Sequence, residues 1–555
     1  MNSTFEPPVT PPGLGRSSVL LASGTIVSRI LGFAKVAILA AAIGQVASSS
    51  ADAFAMANQL PNSIYALVGG GILGAVLVPQ IVRSRRHDDG GADFINRIVT
   101  LGIVIFAAVA AIATLAAPAL VSLYVQSSDD GRGFTPEALA LATAFAYWCL
   151  PQIFFYGLYS VLSEVLNARN LFGPFTWAPV LNNVVAIGGL AAFMVFFGQA
   201  ENNDTVAVWG PDRIGLLAGT ATGGVVAQAL ILWLFWRRAG LRYRPDFHWR
   251  GVGLARTGKT AAWLFGIVLI AQLGGIFQSR VTSIGSAEGA SISAVQNSWL
   301  VFMLPHSVVA VSIATAYFTR MSAHAARGDL GSLRSDASAS LRAIGLVIVF
   351  ATVALAVVAY PFARVFETNF ANVAAMGNVI LAFLPGLIAY SALFIVQRVL
   401  YALDDMRTSF GMQCVQTAVF IAGALACTAL PAEWIGVGIA VVTSISTIVQ
   451  TALGVVLVRR RLHGMDGRLI LRRHLQYLAV AIVAGAVGLA VVILLGGFSA
   501  DGFAQAGKFE AIGSMIVAGS LMAVTYGTGL LMLRNPELGA VTAAIAARLR
   551  ARNPE

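Results

Sequence analysis

Val27-Ser28-Arg29-Ile30-Leu31-Gly32-Phe33-Ala34-Lys35 lies inside an apolar run from about residue 17 to 43 and sets two cations where a lipid-facing helix carries none. An Arg or Lys at mid-bilayer costs at least ~2.5 to 3.5 kcal/mol, so such residues turn toward a bundle interior or a wet cavity. The stretch therefore reads as a membrane helix whose charged positions form the floor of an anion-binding chamber.

Composition supports the membrane reading. The 555 residues are 57% hydrophobic and 11% charged, with a mean hydropathy of +0.79, far outside the range of a soluble globular chain. Apolar runs of about 20 residues, enough to cross a ~30 Å hydrocarbon core, recur near residues 17–43, 51–80, 96–124, 136–165, 175–198, 213–236, 259–283, 290–319, 340–364, 375–403, 409–430, 436–458, 474–496 and 510–533. The expectation is an all-α integral membrane protein with fourteen transmembrane helices. The first run carries internal charge and is followed at once by another, so it is expected to be retained rather than cleaved as a signal.

Cations crowd into alternate connections: Arg83, Arg85 and Arg86, then Arg237 to Arg256, then Arg327 and Arg334, then Arg459 to Arg473. The positive-inside bias makes these loops cytoplasmic, which puts both termini on the cytoplasmic side of a multi-pass protein. The net charge of +11 is spread over these loops instead of one basic face, which argues against nucleic acid and for anionic membrane lipids. Cys149, Cys414 and Cys427 all fall in apolar runs without ligand spacing, so no metal site is read.

The chain repeats itself. Ser28-Arg29 returns as Ser279-Arg280 in the seventh span, and Leu60-Pro61-Asn62-Ser63 of the second span returns as Leu304-Pro305-His306-Ser307 of the eighth. Six spans separate the copies, so the repeat is parallel, as in transporters built from duplicated halves. The expected organisation is a tail over 1–16, a six-helix lobe over 17–240, a second over 259–458, two appended helices over 474–533 and a tail over 534–555.

Arg29, Lys35, Asp52 and Arg280 are the candidate substrate-binding residues. A guanidinium grips phosphate oxygens through two parallel hydrogen bonds and an ammonium adds a point charge, a set suited to a diphosphate. Asp52 opens the second span, where it would pair with Lys35 or cap its own helix. Gly32, Pro61, Gly69, Gly70 and Gly71 are the candidate conformational positions, since Gly and Pro allow a membrane helix to bend. Arg398, near a cytoplasmic loop, is read as structural. No nucleotide-binding motif or catalytic constellation is present, so no cofactor is expected and transport would draw on the membrane potential or a coupling cation.

Ser28 to Lys35, Ala51-Asp52-Ala53-Phe54, Leu60-Pro61-Asn62, Leu166-Asn167 with Pro174, Pro179 and Asn182, and Leu400-Tyr401-Ala402-Leu403-Asp404-Asp405 resemble the MurJ (MviN) lipid II flippases of the MOP superfamily over residues 17 to about 535. The resemblance implies transfer of the undecaprenyl-diphosphate-linked peptidoglycan precursor, lipid II, from the inner to the outer leaflet of the bacterial cytoplasmic membrane by alternating access. It implies roles in binding for Arg29, Lys35 and Asp52, and a groove along the last two spans for the polyprenyl tail. The chain departs from the pattern at Tyr65-Ala66, where many members carry a basic pair, and at Leu300, where an arginine is expected; Arg280 would substitute for the latter. The rival readings are a flippase for another polyprenyl-diphosphate-linked glycan and a membrane scaffold for cell-wall synthesis proteins.

Overall fold

The computed structural model describes residues 14–69, 91–127, 132–169, 171–248 and 258–539. Among them every regular element is helical, and the only bridges of strand type are the isolated pairs Gln45 with Ala47 and Ser127 with Phe134. Thirteen stretches are long and apolar enough to cross a membrane. They match thirteen of the fourteen expected spans; for the remaining one, the helix Ser49–Gly69 is seen and its continuation lies outside the described residues.

Several spans differ internally from the expected single helices. The run 96–124 divides into Ala92–Leu115 and Ala117–Tyr124, the run 136–165 into Pro136–Cys149 and Gln152–Ala168, and the run 375–403 into Phe370–Phe383 and Pro385–Ala402. Proline explains each break: Pro118, Pro151 and Pro385 sit at or next to the junction, where a missing N–H and a ring that crowds the preceding turn favour a new helical start. Pro305 acts more mildly, ending the helix Ile292–Pro305 in a wide π-turn over His306–Ala310 before Val311–Ala326 continues.

The chain forms two compact units. One comprises Met1–Ala42, Ala57–Val121 and Ala140–Phe265; the other comprises Ile43–Met56, Ser122–Leu139 and Gly266–Glu555. In the first unit, small residues let helices approach closely, as is usual where lipid supplies no hydrophobic drive: Gly157 lies under the Phe106 ring and Gly189 against Thr220. The segment 241–248 is anchored to the start of Ala92–Leu115. Arg97 Nε meets Asp246 at 2.8 Å, and the Tyr243 and Thr100 hydroxyls are 3.0 Å apart. The Arg97 guanidinium holds the Asp246 carboxyl well below the usual carboxylate range.

The second unit is built on Leu330–Arg364, started by Asp329, whose carboxylate accepts from the Ser332 N–H at 3.0 Å, a stabilising N-cap. The two final helices, Gly467–Leu494 and Lys508–Met532, pack against it through Tyr477, Val480, Ala484, Ala518, Met522 and Tyr526. The buried Tyr526 hydroxyl donates to the Leu346 carbonyl at 2.7 Å. Ion pairs mark one end of this unit, among them Arg334 with Asp466, Arg320 with Asp336 and Arg461 with Asp405. Arg398 lies over both Phe318 and Phe394, at 5.0 and 4.7 Å, a packing role of the kind cations take on aromatic faces.

Candidate functional site

In the first unit, Leu14–Ile43 runs as one continuous helix through Gly32. Gly32 faces the Asn183 amide, which donates to the Ser28 carbonyl at 2.9 Å. That bond fixes the turn that carries Arg29. The Arg29 side chain is exposed, flanked by exposed Ile26 and Ile30, while Lys35 is half-buried. On a straight helix two residues six positions apart point ~120° away from each other. Arg29 and Lys35 thus present charge to two different directions, one above the other.

Motif letters that are scattered in the sequence converge in this unit. Asn62, Tyr65 and Asn167 line one cavity of about 380 Å³ together with Tyr156, Tyr159, Glu164 and Gln228. Tyr65 stands where a basic residue was expected, and its ring packs beside Tyr156 at 5.9 Å and Phe106 at 6.0 Å. The cavity wall is therefore phenolic and amide-rich. Sequence reasoning missed Glu164; the signal was an acid at the far end of the apolar run 136–165, well away from Glu137 at its start. Asn182, quoted for its motif, donates to Gln228 at 2.8 Å behind this wall.

Asp52 and Arg280 belong to the second unit. Ser48, not Asp52, caps the helix that follows it: its hydroxyl accepts from the Ala51 N–H at 3.2 Å. The fully buried Asp52 instead accepts from the Ser293 N–H and the Ser286 hydroxyl, both at 2.8 Å, and so caps Ile292–Pro305. Arg280 also serves a helix end. Its Nε donates to the Gln126 side chain at 3.1 Å and its Nη1 to the carbonyls of Ser122 and Leu123 at 3.2 and 3.4 Å, closing Ala117–Tyr124 where cations are favoured.

A second buried acid in this unit was not anticipated. Glu367, between Arg364 and Phe370, accepts from the Val46 N–H at 3.0 Å and from the Asn372 amide at 3.4 Å. Gln45 beside it accepts from the Asn297 amide and reaches the Met376 sulfur at 2.8 Å. Burial pushes the Glu367 carboxyl up to about 7, against the opposing pull of these donors and of Lys508. The 43–56 segment is thus held in the second unit by two acids. Of the conformational candidates, Pro61 sits inside an unbroken helix and Gly69 beside its own Tyr65 ring; Gly70 and Gly71 lie outside the described residues.

A helical bundle with cations in its first span and polar cavities in its interior can bind and pass an anionic amphiphile. Comparison with known proteins narrows this. Three proteins called probable lipid II flippase MurJ are similar in sequence. That of Vibrio cholerae is 25% identical over 492 residues, covering 85% of this chain and 87% of its own. That of Rhizobium meliloti is 27% identical over 483 residues (84% and 85%), and that of Haemophilus influenzae 26% over 407 (69% and 75%). A solved structure described as lipid II flippase MurJ in an inward closed conformation aligns over 93% of this chain and 100% of its own, with a TM-score of 0.69 at 17% identity. An inward-facing multidrug resistance MATE transporter of the MOP superfamily aligns over 80% and 98%, with a TM-score of 0.60 at 16% identity. At these identities the solved structures speak for the fold. The family model described as lipid II flippase MurJ matches residues 39–504, and the chain belongs to that family.

Proposed function

We propose that this chain moves lipid II, the undecaprenyl-diphosphate-linked peptidoglycan precursor, from the inner to the outer leaflet of the bacterial cytoplasmic membrane by alternating access. The observation that carries the reading is the pair Arg29 and Lys35 on one unbroken membrane helix in a member of this family. An anionic headgroup offsets the cost of placing cations in the bilayer. Arg29 grips the diphosphate oxygens, Lys35 meets the charge at a second level along the same helix, and the two final helices offer the polyprenyl tail an apolar path. Both termini face the cytoplasm. The membrane potential resets the empty cationic carrier, since one charge crossing 100 mV is worth ~2.3 kcal/mol.

Depletion of the protein followed by an accessibility assay for lipid II in the outer leaflet tests the function. Re-expression of wild type restores exposure; Arg29→Ala and Lys35→Ala, each inserted at wild-type levels, reduce it at least 10-fold. Full exposure during depletion, or normal rescue by both variants, rejects the reading.

A further inference from the structure

The second unit holds a cavity of about 310 Å³, within the ~300–1,000 Å³ range of small-ligand sites. Five glutamines reach it from four helices: Gln278, Gln397, Gln413, Gln416 and Gln450. Among the described residues, no Asp, Glu, Lys, Arg or His lines it. Polar amides inside a membrane bundle are costly unless satisfied. Three of the five satisfy one another: Gln413 donates to Gln416 at 2.9 Å, Gln450 donates to Gln413 at 3.3 Å, and Gln416 donates to Ser446 at 3.2 Å. The amides of Gln278 and Gln397 have no hydrogen-bond partner among the described residues. They line the cavity with donors and acceptors both unspent.

The opposite character of the remaining wall decides the ligand class. Trp299 and Tyr390 line the cavity edge to face, 5.6 Å apart at 83°, and the other side of Trp299 is stacked on Phe302 at 4.6 Å. A rigid aromatic wall facing amides that both donate and accept suits a ring whose faces are C–H and whose rim is hydroxyl and acetamido. A phosphate finds no cation here and an organic cation finds no acid. We infer that this cavity is a subsite for an uncharged N-acetylated sugar ring of the transported glycolipid. The inference rests on the flippase reading and adds to it the part of the headgroup that the second unit recognises.

The test uses the full-length protein in detergent with two probes, lipid II and undecaprenyl diphosphate without sugars. Wild type binds lipid II at least 10-fold more tightly. Gln278→Leu and Gln397→Leu, which remove amides that hold nothing in the protein, cut that preference to under 3-fold while the affinity for the bare diphosphate and the thermal midpoint stay unchanged. If both variants keep the preference, or wild type binds the two lipids equally, the sugar subsite falls and the flippase reading stands. If wild type binds neither lipid, both fall together.

Discussion

Glu367 sits in the connection between two helices with its carboxyl buried against Val46 and Asn372, while Arg364 donates to its backbone carbonyl at 2.7 Å and Lys508 lies nearby. An exposed glutamic acid releases its proton near 4.5, but the folded chain holds this one to about 7. The folded state therefore binds more protons between those values, and stability falls as pH rises from 4.5 to 7. The loss at this site is at most about 3 kcal/mol. Glu367→Gln keeps an acceptor for Val46 and cannot titrate, so its thermal midpoint should stay level across that window and exceed the wild-type value at pH 7; parallel pH curves for the two proteins would refute this. Arg29 and Lys35 were legible because a charge inside an apolar run announces itself. Asp52 was visible as an acid at a helix start, but its true partner, the Ser293 N–H, comes from the other half of the chain. Glu367 and Gln45 gave no signal at all, since polar residues beside a connection look alike whether solvated or buried.

Helices are where most of the fold could be read, because a run of apolar residues long enough to span a bilayer has few alternative structures. Their interruptions were harder. Pro118, Pro151 and Pro385 accompany breaks, whereas Pro61, Pro179 and Pro361 sit inside continuous helices; the difference depends on whether neighbours satisfy the freed carbonyl, which local sequence does not encode. Close approach between elements is equally silent until the coordinates are seen. At the start of Ile435–Arg461, a Cβ on Gly436 would stand 2.2 Å from the Ala290 carbonyl oxygen. Backbone cannot yield by changing rotamer. Gly436→Ala should therefore cost about 1–3 kcal/mol and lower the thermal midpoint, whereas Gly411→Ala, in open space within Met406–Cys427, should raise it slightly by relieving glycine's helix penalty of ~1 kcal/mol. Equal midpoints for the two variants would remove backbone contact as the explanation.

At the level of the molecule, the residues that match in sequence have different surroundings in the fold. Ser28 and Ser279 lead matching arginines, yet the Ser28 carbonyl is held by Asn183 while Arg280 is engaged with the end of Ala117–Tyr124. The orientation inferred from the basic loops has a direct check. With Cys149, Cys414 and Cys427 replaced by alanine, a single cysteine at exposed Thr205 or Ser499 should react with a membrane-impermeant maleimide added to intact cells. One at exposed Arg238 or Arg468 should react only after permeabilisation; the reverse pattern would invert the topology.

The assignment of residues 43–56 and 122–139 to the second unit also orders events on the ribosome. The 43–56 segment is synthesised long before Ser286 and Ser293. Until residue 293 has been made, the Asp52 carboxylate lacks the two donors that hold it in the folded chain, so chains truncated before that point should be cleared faster in a pulse-chase than the full-length protein.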